Sequence, residues 1–214
     1  MKTDTIEQMI KDCISQAVAI SELGELVVAV AESRGRSPGQ AEIDAGCKFI
    51  CDYIQQVPYM IKIGWTSAAN VGLEAEMMGI LDAVKSYWYQ DNDIIPDHLG
   101  VIGLLDDAYC SLTSLQSVSD HYRLQTGKYL FPTDLTSANT LIRDFLGDPY
   151  GPELDQFVTV TLRDAGIMEA VQAMASKEKQ LDFSKQGTIW NHGSVDSMDT
   201  TPLEGLGLGL GETD

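Results

Sequence analysis

An all-α fold follows from three features of the chain. Apolar residues recur at three- and four-residue steps through most of the first 180 positions, the breaks between such stretches carry proline, glycine or capping residues, and no stretch alternates apolar and polar side chains as a half-buried strand does. The predicted architecture is one bundle-like domain of six to eight helices over residues 1–180, followed by a flexible, acidic Gly/Ser-rich tail over 181–214.

The first helix is marked by Ile6, Met9, Ile10, Cys13, Ile14, Ala17 and Val18, which form one apolar stripe, with Thr5 and Gln8 at capping-box spacing. Gly24 is expected to interrupt it before "ELVVAVAE", valine-rich but read as helix because it lies between helical patterns. "SRGRSPGQ" is a turn, in which Ser37 supplies a cap and Pro38 the first helical position. The next helix carries Ile43, Cys47, Ile50, Cys51 and Ile54 on one face. It is expected to stop before Pro58, because the residue preceding a proline disfavours the helical region.

A further helix is predicted from about Ser67 to Tyr89, burying Leu73, Met77, Ile80, Leu81, Val84 and Trp88, and another from Leu99 to about Val118. Thr133 or Asp134 caps a helix that ends at Gly147. The last helix is predicted from Pro152 to about Lys177. Beyond residue 181 the polar, glycine-rich sequence buries too little apolar area to offset its ordering entropy. Two apolar islands interrupt it: Ile189 and Trp190, and the run Gly205-Leu206-Gly207-Leu208-Gly209-Leu210. Each is a candidate docking peptide, for a partner or for the chain's own domain.

With 14 Lys+Arg against 32 Asp+Glu, the formal net charge is −18. Such a field repels phosphate backbones and anionic headgroups, so the expected partner is a protein, preferably basic, and not a nucleic acid. Runs such as "LVVAVA" fall short of the roughly 18 apolar residues a membrane span needs, so no stable insertion is expected. Cys13, Cys47, Cys51 and Cys110 form no zinc-ligand spacing and read as small core hydrophobes of a reduced, cytoplasmic protein. "MKTDTIEQMI" lacks the apolar stretch of a signal peptide.

The chemistry of greatest interest lies in "YWYQDNDIIPDHLGVIGLLDDAY", residues 87–109, with five aspartates threaded between apolar residues. Asp91 or Asp93 ends one helix, Pro96 stops its continuation, and Asp97 caps the next. The run Asp93-Ile94-Ile95-Pro96-Asp97, followed by Gly103-Leu104-Leu105-Asp106-Asp107, resembles the signature of the YkvA family, a bacterial domain of unknown function whose pattern is D-x-I-P-D…G-x-L-D-D. The resemblance covers residues 80–115. It departs from the family pattern where Gly100 replaces a second proline and Leu104 replaces an aromatic residue. It implies a helical hairpin at 80–118 and carries no activity with it.

A divalent cation held across such a hairpin would use Asp93, Asp97, Asp106 and Asp107. The calcium-loop motif itself fails, with Ile95 and Pro96 where a ligand and a glycine belong. His98, His121 and His192 pair with no visible nucleophile, and the glycine-rich run has no preceding strand to make a phosphate loop. No catalytic set and no resident cofactor are therefore expected. The sequence points to a non-enzymatic protein-binding or adaptor module. The rival readings are an inhibitor or immunity-type protein masking a basic target, and a metal-dependent enzyme built on the aspartates.

Overall fold

A computed structural model describes residues 3–71, 73–89, 94–96, 99–178 and 195–209. In chain order its elements are α1 (Asp4–Ile14), α2 (Ala17–Ser33), α3 (Gln40–Val71), α4 (Glu74–Ser86), a 3-10 turn (Tyr87–Tyr89) and α5 (Val101–Thr126). There follow β1 (Thr133–Asp134), α6 (Thr136–Leu146), α7 (Tyr150–Asp164), α8 (Ile167–Glu178), β2 (Asp196–Ser197) and α9 (Thr201–Gly205). The chain is an all-α helical domain, as its periodicity predicts.

The architecture is organised around α5. Helices α1, α2, α3, α4, α6, α7 and α8 all pack against it. Its Leu105, Ala108, Leu112, Leu115, Val118 and Tyr122 are fully buried. Over residues 101–119, before its exposed last turns at Asp120, His121, Arg123 and Leu124, the helix is enclosed on all sides and cannot carry a single apolar stripe. Buried apolar and buried polar residues therefore alternate around its whole circumference.

Several expected boundaries move, each for a local reason. The first break falls at Ser15–Gln16 and not at Gly24. The Ser15 hydroxyl and the Gln16 amide both donate to the Asp12 carbonyl, at 3.0 and 3.1 Å, and Gln16 is extended. Such side-chain bonds compete with helix continuation. Gly24 lies within α2, facing Ile43 and Cys47 of α3, where an added side-chain carbon would stand in ordinary contact at 3.8 and 4.0 Å. The starts of α1 and α3 also move. Thr3 precedes α1 and donates to Glu7 at 2.5 Å, while α3 begins after the Ser37–Pro38 turn, with Glu42 accepting from the Gly39 amide at 2.7 Å.

Helix α3 runs through Pro58. An interior proline removes a backbone bond and costs roughly 3 kcal/mol in an isolated helix. Here Tyr53, Ile54 and Val57 before it, and Met60 and Ile61 after it, are all fully buried. Burial worth about 1.5–3 kcal/mol for each large apolar side chain holds both halves in line. The helix expected from Ser67 begins instead at Glu74, after Leu73 closes the end of α3 by donating to the Ala68 carbonyl at 3.0 Å. The last predicted helix divides into α7 and α8 at Gly166, whose φ of 61° ends the first.

The tail needs correction over residues 195–209. Asp196 and Ser197 pair in parallel with Thr133 and Asp134, and Leu203, Leu206 and Leu208 are fully buried on the domain. The three leucines supply the apolar area that composition alone undervalued. Gly46 of α3 makes their socket: a side chain there would lie 2.9 Å from Leu206 Cδ1.

Candidate functional site

The aspartate segment is tied down through its second half. Asp106, in the second turn of α5, accepts the Ile95 amide at Oδ2 and the Asp107 amide at Oδ1, both at 3.0 Å. Asp106, Asp107 and Ile95 are all buried. Gly100, at φ 66°, precedes α5, and a side chain there would meet Ala19 of α2 at 3.2 Å. The turn is thus clamped on one side by a carboxylate and pressed on the other against α2. One turn further on, burial pushes the Cys110 thiol far up, with Asp106, Asp107 and Asp155 adding to the effect.

Asp106 and Asp107 are the two members of the expected cation set that the structure describes, and Asp93 and Asp97 lie outside the described residues. Among the described residues no group of three or more His, Cys, Asp or Glu side chains is placed to hold a metal ion. Asp106 spends an oxygen on each of two backbone donors. Asp91, His98 and His192 are likewise outside the described residues, and His121 is exposed.

Further along α5, polar side chains that the sequence reading passed over fix the surrounding segments. Ser111 accepts from the Trp88 indole at 2.9 Å, Gln116 accepts the Leu135 amide at 2.9 Å, and Ser119 accepts the Leu130 amide at 3.4 Å. On the neighbouring helices Tyr53 donates to Asn139 at 2.7 Å. Tyr109 donates to Asp155 at 2.5 Å, whose other oxygen takes the Arg143 guanidinium at 2.6 Å. Burial, together with the bond to Asp155, holds the Tyr109 phenol protonated far above neutrality. A phenol so placed orders helices and does not exchange protons at pH 7. The sequence signal was available: serines and a glutamine recur at 111, 114, 116 and 119 within an otherwise apolar helix.

Open concave surfaces lie along α3, and a smaller one lies between α6 and residues 204–209. Between α2 and α3 runs a groove of about 670 Å³ with Ile20, Val28, Ile43 and Cys47 on its walls and Glu25, Asp44 and Lys48 at its edges. A second, of about 630 Å³, lies between α1 and α3 over Ile10, Ile14, Pro58 and Tyr59. Beside it Lys62 holds the Glu7 carboxyl below its ordinary range through a 2.6 Å ion pair, with Thr3 assisting. The cysteines are free thiols. Burial, then the neighbouring Cys47, raises the Cys51 thiol to about 11, and burial also raises Cys47. Neither is an activated nucleophile.

Of the expected docking residues, Ile189, Trp190 and Leu210 lie outside the described residues, while Leu206 and Leu208 insert into the chain's own domain. No single helix among the described residues is long and apolar enough to cross a membrane. Helices α1 and α2 together have that length and composition, but they bend by 75° at their junction, and Ile6, Ile10, Leu23 and Val27 are buried in the core. Compared with protein-family models, curated proteins and solved structures, the chain matches none.

Proposed function

We propose that the chain is a non-enzymatic protein-binding or adaptor module, and that its contact surface is the groove between α2 and α3. The observation that carries this reading is an apolar, open groove edged by Glu25, Asp44 and a Lys48 paired to Asp52, on a chain of net charge −18. An apolar floor supplies affinity by area removed from water, and an acidic edge selects basic partners and speeds their approach. Lysine and arginine fit such a rim because their stems lie on apolar surface while their charges meet carboxylates. The partner expected is thus a basic protein presenting an apolar ridge.

Asp106 and the segment 94–96 form a hinge-like lock, which positions helices and leaves recognition to outer surfaces.

The test is a reconstitution. The partner is identified by purifying the native protein with its associates and is then titrated alone. Ile43→Asp, which places a charge on the groove wall, is expected to weaken the complex at least tenfold. Leu124→Asp, at an 82% exposed position on α5, is expected to leave it unchanged. Association is also expected to slow steeply between 50 and 300 mM salt, as screening over roughly 10 Å demands. Equal loss from both substitutions, or salt-independent association, removes the groove from the account.

A further inference from the structure

The C-terminal segment is seated on the domain in the manner of a bound peptide. Leu203, Leu206 and Leu208 stand at positions i, i+3 and i+5, and all three are fully buried. Leu206 and Val27 of α2 both crowd the bare backbone of Gly46 on α3, where an added side-chain carbon would lie 2.9 Å from Leu206 and 3.3 Å from Val27. Gly209, at φ 71°, passes so close to Leu141 of α6 that a side chain there would collide with it. Its amide donates to Asp144 Oδ2 at 2.9 Å, and Arg34 holds the other oxygen of the same carboxylate at 2.6 Å. Upstream, the segment adds two residues in parallel to Thr133 and Asp134. Apolar anchors at fixed spacing, one oriented polar clamp and a short strand addition are the elements of peptide recognition.

The hold is made of a short segment joined to α8 through residues 179–194, and those sixteen positions reach at most about 55 Å when extended. Nothing in this arrangement requires covalent continuity. Glycines at 207 and 209 are part of the fit, because their positive φ lets the backbone run close over Arg36 and Leu141.

We propose that the cleft formed by α2, α3 and α6 is a binding site for a leucine-spaced peptide, Leu-x-x-Leu-Gly-Leu-Gly, which the chain's own residues 203–209 occupy in cis and which a matching segment of another polypeptide occupies when they are displaced. The residues that hold Leu206 and Gly209 (Val27, Gly46, Leu141 and Asp144) do not line the α2–α3 groove, and the site does not depend on the function proposed for that groove. Covalent attachment gives the cis segment an effective concentration in the millimolar range, so it acts as a built-in competitor. A ligand in trans therefore binds well only when the cis segment is weakened.

The probe is a fluorescent peptide of residues 195–214, titrated into the full chain and into the full-length double variant Leu206→Asp/Leu208→Asp. The double variant is expected to bind it saturably and at least tenfold more tightly than the wild type, and to ignore a peptide carrying the same two aspartates. Three outcomes overturn the proposal: no binding to a double variant that circular dichroism shows folded, equal binding to both proteins, or a wild-type dimer by light scattering, which makes a second copy the occupant. If the double variant unfolds, the wild-type chain with a protease site within 179–194 is cut after folding. Exchange of the released segment for the fluorescent peptide then supports the proposal, and unfolding on its release, or a failure to exchange, overturns it.

Discussion

Helices α3 and α5 are both long, both lie in the core and both carry buried apolar residues, yet they have opposite chemistry. α5 is enclosed by seven other helices and spends its polar side chains on fixing what surrounds it: Asp106 on Ile95, Ser111 on Trp88, Gln116 on Leu135. α3 buries Tyr53, Ile54, Val57, Met60 and Ile61 on one face and on the other lines open grooves with α1 and α2. The difference separates two jobs. A buried polar group must be satisfied, so it specifies one arrangement, whereas a half-covered apolar face leaves affinity unspent for another molecule.

Substitutions that contrast the two helices test this division. The largest effect is expected from Leu115→Ala on α5, a fully buried position, at about 3 kcal/mol of lost stability in urea denaturation. A loss under about 1 kcal/mol would show that α5 is not the packed centre. Asp106→Ala comes next, at about 2–3 kcal/mol, because the Ile95 amide is left buried without its acceptor. Asp106→Asn, which keeps one acceptor oxygen, should cost about half as much. Equal costs for the two would mean that charge and not the bond to Ile95 sets the role of Asp106.

The thiols of α3 sharpen the comparison through pH. The folded Cys51 thiol titrates at about 11, raised by burial and by Cys47, while an unfolded thiol titrates near 8.5. A folded value above the unfolded one contributes stability that is complete below about pH 8.5 and is lost as pH rises through 11. The share carried by Cys51 is about 2 kcal/mol by pH 10.5, and a Cys51→Ala chain should lack that part of the alkaline slope in urea midpoints. Identical slopes in the two proteins would place Cys51 in water. The smallest effect is expected at the groove wall: Ile43→Ser should cost under about 1 kcal/mol, since the side chain is only half-buried. A cost matching that of Leu115 would show the groove to be part of the core.

The fold class was legible because a period near 3.6 recurs through nearly every segment, and a break near Pro96 was legible because Asp, Pro and Gly each have few uses inside a helix, whereas the bond from the Ile95 amide to Asp106 was not. Helix ends were read less well. Pro58 and Gly24 are strong local breakers, and both lie inside helices, since packing against the core outweighs a preference of a few kcal/mol. The grooves had no local signature, because Val28 and Ile43 look like any other core residue until the helix opposite them fails to cover them.

By itself the amino-acid order determined that the chain would be helical, acidic and broken near Pro96, because these depend on neighbours within a few residues. Tertiary structure alone decided that α5 would be enclosed, that α3 would keep an open face, and that Leu203, Leu206 and Leu208 would settle on the domain. Burial is a property of pairs of distant segments. A leucine in a glycine-rich tail is indistinguishable from solvent-facing filler until Gly46, some 160 residues earlier, leaves room for it.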